Sequence, residues 1–284
     1  MNRRTFLSTM GLAVAAPQLA CAARSATVGT TPRRLRRVGI QLYTLRDDAR
    51  RDLEGTLRNI AQIGYKDVEL LSSMNNFGMP PQQLRALLDT LGLRAPSTHL
   101  GGESFDHLDR EIENAKILGH EYLVLASLPT DKPTLDDYRR WADRLNDAGR
   151  RAQPSGVRVA FHDESIDFRK IEGLVPYDVL ADRTDPNYVR LQLDTGNLAQ
   201  AGGDPYDYLK RYGSRYWLFH IKDVPAMGAD HDTVLGKGVI DFKRLFANID
   251  HIDDKHLYVE QESYPGTPLE SVRQDYAYIS TLEF

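Results

Sequence analysis

Cysteine is nearly absent from the 284-residue chain, and its single cysteine, Cys21, excludes an intramolecular disulfide framework. Positive charge is not in excess either, because 36 lysines and arginines are outnumbered by 40 aspartates and glutamates, for a net charge of −4. This balance argues against the basic surface that nucleic-acid-binding proteins use, so we expect no nucleic acid partner. The apolar runs are too short to cross a bilayer, and we expect no stable membrane insertion.

The first 22 residues have the composition of a secretory signal peptide. The paired arginines Arg3 and Arg4 precede a short, weakly apolar run at 11–16, and Ala20-Cys21-Ala22 fits an A-x-A cleavage site. Paired arginines are typical of the twin-arginine (Tat) export pathway, although a basic amphipathic helix is the alternative. Cleavage after Ala22 leaves a cysteine-free protein, which suits an oxidising periplasm. We therefore expect a periplasmic protein with a Tat signal at 1–22, a linker at 23–36 and one domain at 37–284.

The remainder of the chain repeats one pattern, an amphipathic helix followed by glycine and a short apolar run. Leu53, Leu57 and Ile60 share a helical face, for example, and Gly64 follows them. Glycine after a helix adopts the left-handed conformation at little cost. Eight strands are predicted, at 38–42, 67–71, 93–99, 122–126, 157–161, 189–193, 216–219 and 257–259.

Eight strand–helix units in about 250 residues have the size and rhythm of a (β/α)8 TIM barrel. An open, doubly wound sheet is the structural alternative. No glycine-rich phosphate loop follows the first predicted strand, which disfavours a dinucleotide-binding version of that sheet. The sequence therefore predicts an α/β protein with a closed barrel.

Polar side chains able to bind a metal or transfer a proton stand at the ends of six predicted strands. They are Glu69, His99, His162 with Glu164, Asp194, His220 and Glu260. In a (β/α)8 barrel these ends converge on the C-terminal mouth, where active sites lie. A single residue of this kind would more often be structural, but six in register point to a site. Burying each of these side chains without a partner would cost several kcal/mol, and a bound divalent cation would offset that cost. A donor set without thiolates favours Mn, Mg, Co or Zn.

Four motifs in register resemble those of the xylose-isomerase-like superfamily of sugar isomerases and epimerases. They are Leu193–Asn197, Phe219–Asp223, Gly236–Phe242 and Tyr258–Glu262. The resemblance covers the chain from about residue 36 onward, and it implies one divalent metal ion bound at the ends of strands five to eight. Members are often dimers or tetramers, which implies a homo-oligomer. Endonuclease IV shares this fold, but it needs more metal ligands and a basic face.

The metal ligands that the resemblance implies are Asp194, His220 and Glu260, with one more residue from the fifth strand. Relatives have apolar-Glu-x-His or His-Asn-His in that strand, whereas this chain has Phe161-His162-Asp163-Glu164. We favour His162 as the ligand and keep Glu164 as its substitute.

The other predicted site residues carry catalytic and substrate-binding roles. Lys222 lies two positions after His220 and so falls on the same face of the strand. It is predicted to bind an alkoxide or enediolate, or to act as a base if its pKa is depressed. Glu260 is the other candidate base, and His162 is also a candidate catalytic residue. Three residues are predicted to contact substrate: His99, Glu69 and Glu164.

These residues predict a metal-dependent isomerase or epimerase that acts on a small carbohydrate or polyol by proton transfer through an enediolate. One alternative is a dehydratase, lyase or hydrolase acting on 3-keto-glycosides or inososes, in which a β-substituent leaves after the proton. The other alternative, from a different class, is a non-catalytic periplasmic carbohydrate-binding barrel that tolerates loss of a metal ligand. Stoichiometric metal binding distinguishes the enzyme from the binding protein.

Overall fold

Residues 32–284 are described by a computed structural model; the predicted signal at 1–22 and most of the predicted linker lie outside the described residues. Eight parallel strands pair in chain order, and the ladder between the first and last strands closes the barrel. The (β/α)8 prediction is confirmed. The strands are β1 (Gly39–Gln41), β2 (Asp67–Leu71), β3 (Ser97–Leu100), β4 (Tyr122–Leu125), β5 (Arg158–His162), β6 (Val189–Asp194), β7 (Tyr216–Ile221) and β8 (His256–Val259).

Helices surround the barrel, and some of them end at the glycines that the sequence predicted as helix ends. Gly92 and Gly119 end two of them in the left-handed conformation, as predicted. None of the helices in 32–284 has the length and apolar character needed to cross a bilayer. The α-helices are α1 (Arg46–Arg51), α2 (Leu53–Ile63), α3 (Pro81–Leu91), α4 (Leu108–Leu118), α5 (Leu135–Ala152), α6 (Pro176–Arg183), α7 (Thr195–Gln200), α8 (Pro205–Tyr212), α9 (Phe242–Ala247) and α10 (Pro268–Thr281).

Two strands differ from their predicted bounds by two or more residues at one end. β3 begins at Ser97 rather than at residue 93, because Pro96 has no N–H to donate to the ladder. β7 continues to Ile221, two residues beyond its predicted end, and therefore includes His220. Asp194 at the end of β6 pairs in register with His220, which places their side chains at the same level of the mouth.

The segment after β2 contains four consecutive residues with positive φ. Asn75, Asn76 and Phe77 have φ angles of 51°, 43° and 54°, and Gly78 has a φ angle of 84°. The left-handed conformation costs about 1–2 kcal/mol for a residue such as Phe77 and less for asparagine. Phe77 packs against the hydrophobic core, which stabilises the turn against this cost.

Three buried aspartates fasten the loop at 224–241 between β7 and α9. Asp223 accepts hydrogen bonds from four backbone N–H groups of the loop, including those of Gly236 and Gly238. Asp275 of α10 accepts a fifth, from Leu235 at 2.8 Å. Asp232 accepts the N–H groups of Glu262 and Ser263 beyond β8, both at 2.7 Å. The loop is therefore attached both to α10 and to the segment that follows β8.

Replacement of Asp275 by Asn should flatten the pH dependence of stability. Burial, opposed by the Leu235 N–H and helped by nearby Asp232 and Asp223, raises the pKa of Asp275 to about 7. Because the folded state holds this proton after the unfolded chain has lost it, the free energy of unfolding falls as pH rises from about 4 to 7.

In Asp275→Asn that decrease should be smaller, because the amide does not ionise. Urea denaturation at pH 5 and pH 7.5 measures the effect, with the exposed Asp131→Asn as control. Equal pH slopes in wild type and Asp275→Asn would contradict the assignment.

Candidate metal centre and active site

Two imidazoles and two carboxylates converge at the C-terminal mouth of the barrel. They belong to His162, Asp194, His220 and Glu260, all buried, and one ligand atom from each lies within 4.8 Å of the others. The first three stand at the ends of β5, β6 and β7, and Glu260 directly follows β8. The structure thus brings together the four residues predicted as metal ligands.

Each of these imidazoles has one nitrogen held by an acceptor and the other turned toward the group. His162 Nδ1 lies 2.8 Å from the Ala126 carbonyl oxygen, and its buried Nε2 has no hydrogen-bond partner. His220 Nε2 lies 2.5 Å from Glu69 Oε2, and its Nδ1 lies 2.9 Å from Glu260 Oε2. Metal-binding histidines characteristically donate the outer N–H to a carboxylate or carbonyl, which orients the other nitrogen toward the metal.

The Asp194 carboxylate is likewise held by one oxygen. Its Oδ1 accepts the N–H groups of Gly196 and Asn197, both at 2.8 Å, at the start of α7. Its buried Oδ2 lies 3.6 Å from His162 Nε2 and 2.9 Å from Lys222 Nζ. Buried polar atoms are usually paired, and His162 Nε2 has no hydrogen-bond partner among the described residues, so an orphaned nitrogen facing a carboxylate oxygen fits a divalent cation between them.

Lys222 is fully buried beside this group and is surrounded by carboxylates. Its Nζ lies 2.9 Å from Asp194 Oδ2, 2.9 Å from Glu260 Oε2 and 2.8 Å from Glu262 Oε1. Burial alone would lower the pKa of Lys222, but these carboxylates raise it well above its usual value. Burial likewise opposes ionisation of Glu260, yet Lys222 and His220 lower its pKa to about 2. Of the two predicted roles for Lys222, the geometry favours a cationic one over that of a free base.

Glu69 lies beneath the His220 ring and is fully buried. Its Oε1 accepts from Ser97 Oγ at 2.6 Å, and its Oε2 accepts from Gln41 Nε2 at 2.8 Å and Gln192 Nε2 at 3.0 Å. With its oxygens occupied in this way, Glu69 orients His220, and the structure favours this positioning role over the predicted substrate contact.

His99 stacks on His220, with ring centroids 5.2 Å apart. Its Nε2 lies 2.9 Å from Gln192 Oε1. Burial lowers the pKa of His99 to about 4, so the ring is neutral near pH 7. His99 is 6% exposed and lines the cavity above the group. A substrate in that cavity would contact it, as predicted for a substrate-binding residue.

A cavity of about 220 Å³ opens directly above the buried group. Glu164 lines it but is not one of the four clustered residues, whereas His162 is, so the geometry favours His162 over Glu164 as the fifth-strand ligand. Burial raises the pKa of Glu164 to about 7. Asn197 separates Glu164 from Lys222, since its Nδ2 donates to Glu164 Oε2 at 3.3 Å and its Oδ1 accepts from Lys222 Nζ at 3.2 Å.

Sequence reasoning missed the residues that orient the predicted ones. Gln192 lies two positions before Asp194, and a strand's two-residue period places both on one face, so the signal was present. Asn197 and Glu262 belong to motifs whose other members were selected. Nothing in the local sequence distinguishes Gln41 or Ser97 from ordinary strand residues.

The model of the family described as "Xylose isomerase-like TIM barrel" matches residues 57–282. The chain belongs to this family. The inosose dehydratase of Lacticaseibacillus casei is 28% identical over 252 residues, which cover 75% of this chain and 83% of that protein.

Solved structures show the same fold at lower identity. A sugar phosphate isomerase/epimerase from Parabacteroides distasonis is 23% identical with a TM-score of 0.73, over 90% of this chain and 98% of that one. An IolI protein with a bound zinc atom is 17% identical with a TM-score of 0.65, over 85% of this chain and 95% of that one. These structural likenesses show the barrel fold.

Replacement of Lys222 by Met should destabilise the metal-free protein by about 3 kcal/mol. The change leaves Asp194, Glu260 and Glu262 without the cation that neutralises them. Urea denaturation in the presence of a chelator measures the loss. Lys210→Met is the control, because its ion pair with an aspartate is exposed and exposed pairs contribute little. Equal effects of the two changes would contradict this account of the charge balance.

Proposed function

We propose that this chain is a divalent-metal-dependent lyase that removes water or an alcohol from a keto-sugar or keto-polyol. The observation that carries the proposal is the placement of Lys222, Glu262 and Glu164 around one cavity, directly above a buried set of two imidazoles and two carboxylates. The inosose dehydratase relative supports the same reaction class.

The donor set fits a borderline or hard divalent cation. His162, Asp194, His220 and Glu260 would hold it, and when bound it supplies Lewis-acid polarisation of a substrate carbonyl. Nitrogen and oxygen donors accept Mn, Mg, Co or Zn, and the zinc of the IolI structure agrees with that range.

The chain's own residues account for both proton transfers. The Glu262 carboxylate, which is 39% exposed and paired with Lys222, takes the proton from the carbon next to the carbonyl. The Lys222 ammonium stabilises the negative charge that develops on the carbonyl oxygen. Glu164, on the other side of the Asn197 amide, gives a proton to the β-oxygen as its bond to carbon breaks. The products are an α,β-unsaturated ketone and water, or an alcohol when the substrate is a glycoside.

Isomerisation or epimerisation shares the first proton transfer and differs only in the reprotonation that follows. The same residues would serve it, and the dehydratase relatives are what favour elimination. A non-catalytic carbohydrate-binding barrel, the remaining alternative, does not account for the unpaired His162 Nε2 that faces the Asp194 carboxylate.

We also propose that the protein acts in the periplasm. A Tat signal over 1–22 would export the chain folded and would place the reaction in the periplasm, where glycosides occur. Assembly as a homo-oligomer likewise remains a prediction from the family resemblance.

The purified protein should contain about one divalent ion per chain. His162→Ala, Asp194→Ala and His220→Ala should lose it, because each removes a donor atom, whereas Glu164→Gln should retain it. Metal analysis by mass spectrometry with a thermal-shift titration measures this. If Glu164→Gln lost the ion and His162→Ala kept it, the fifth-strand ligand would be Glu164. A wild type without metal and without any metal-induced thermal shift would favour the carbohydrate-binding role.

The metal-loaded protein should convert an inosose or a 3-keto-glycoside to a product that lacks the β-substituent and absorbs as a conjugated ketone. Glu262→Gln and Glu164→Gln should each lower kcat at least about 100-fold, as expected for loss of a general base or acid, with the metal retained. Product mass in D2O separates the outcomes. A product of unchanged composition carrying one new deuterium would identify an isomerase or epimerase instead.

A further inference from the structure

A second cavity, of about 510 Å³, adjoins the one above the metal ligands, and Ser73 lines both. The segment after β2 and the start of α4 form its walls. Much of its lining is made of hydroxyls and amides, with side chains from Ser72, Asn76, Ser104 and Asn114. These groups both donate and accept hydrogen bonds, as the hydroxyls of a carbohydrate require.

Asn76 is the least satisfied of these lining residues. It is 8% exposed, its buried Oδ1 has no hydrogen-bond partner, and it stands in the left-handed run described above. Backbone strain of this kind concentrates at functional sites, and buried polar groups are usually paired. No group within residues 32–284 donates to this oxygen, so an unpaired hydrogen-bond acceptor lies in the wall of the second cavity.

The charge of this cavity selects among sugar-like ligands. Two carboxylates, Glu103 and Glu111, line it with one guanidinium, Arg110. Arg110 is itself paired with Glu111 at 2.9 Å, and two carboxylates against one guanidinium leave the lining net negative. This charge disfavours a sugar phosphate and accepts a neutral polyhydroxyl group.

We propose that the second cavity is a subsite for the second sugar unit of a glycoside. The reacting ring lies above the metal ligands and the leaving sugar lies beyond Ser73. This inference rests on the proposed function and narrows its substrate class to neutral, two-ring glycosides, for which the leaving group is an alcohol rather than water.

Calorimetric titration of the metal-loaded protein tests the subsite with glucose as the one-ring probe and cellobiose, lactose, trehalose and sucrose as two-ring probes. At least one disaccharide should bind about tenfold more tightly than glucose. Asn114→Trp fills the cavity from a helical position and should remove this gain while leaving glucose affinity unchanged. Asn114→Ala, a milder change, should weaken disaccharide binding alone.

Glu113→Trp is the matched control, because its exposed side chain lies on the same helix outside the cavity, and it should bind both sugar sizes as wild type does. Equal affinity for glucose and every disaccharide, or equal weakening of both by Asn114→Trp, would overturn the subsite. The lyase proposal would survive that result if a one-ring keto-polyol is still turned over. Absence of both sugar binding and turnover would overturn both proposals.

Discussion

Charge compensation around Lys222 is the constraint on which the mouth of the barrel depends. Closing eight parallel strands brings their C-terminal side chains into one buried space, where Asp194, Glu260 and nearby Glu69 would repel one another if left alone. The Lys222 ammonium and the two histidines of the cluster supply the opposing charge and hydrogen bonds. A site built in this way is poised for a divalent cation, because the anionic donors are already assembled.

Part of this arrangement was predictable from sequence, because it depends on the spacing of apolar residues and on the positions of the strand ends. Amphipathic helices that stop at glycine alternate with apolar strands, and the strand ends carry the metal-binding side chains. Asp194, His220 and Glu260 follow from that rule together with the family resemblance. The sequence left the choice between His162 and Glu164 open, since both stand at the end of the same strand, and the coordinates favour His162 because it belongs to the four-residue cluster.

The rest could not be predicted, because it depends on how strands face one another across the barrel. Gln41, Ser97 and Gln192 come from three strands and meet only at Glu69, so no local pattern marks them. The role of Lys222 also depends on neighbours distant in sequence, since Glu262 lies 40 residues away from it. The left-handed run after β2 was only partly predictable, because asparagine and glycine favour positive φ but phenylalanine does not.

The attachment made by Asp232 links loop order to chemistry. Its carboxylate accepts the N–H of Glu262 from the loop after β7, while Lys222, directly after β7, holds the Glu262 carboxylate. Glu262 is thus tethered at both its backbone and its side chain by the same stretch of chain. Displacement of the loop would leave the proposed proton acceptor held by Lys222 alone, so the order of the loop and the position of the base are coupled.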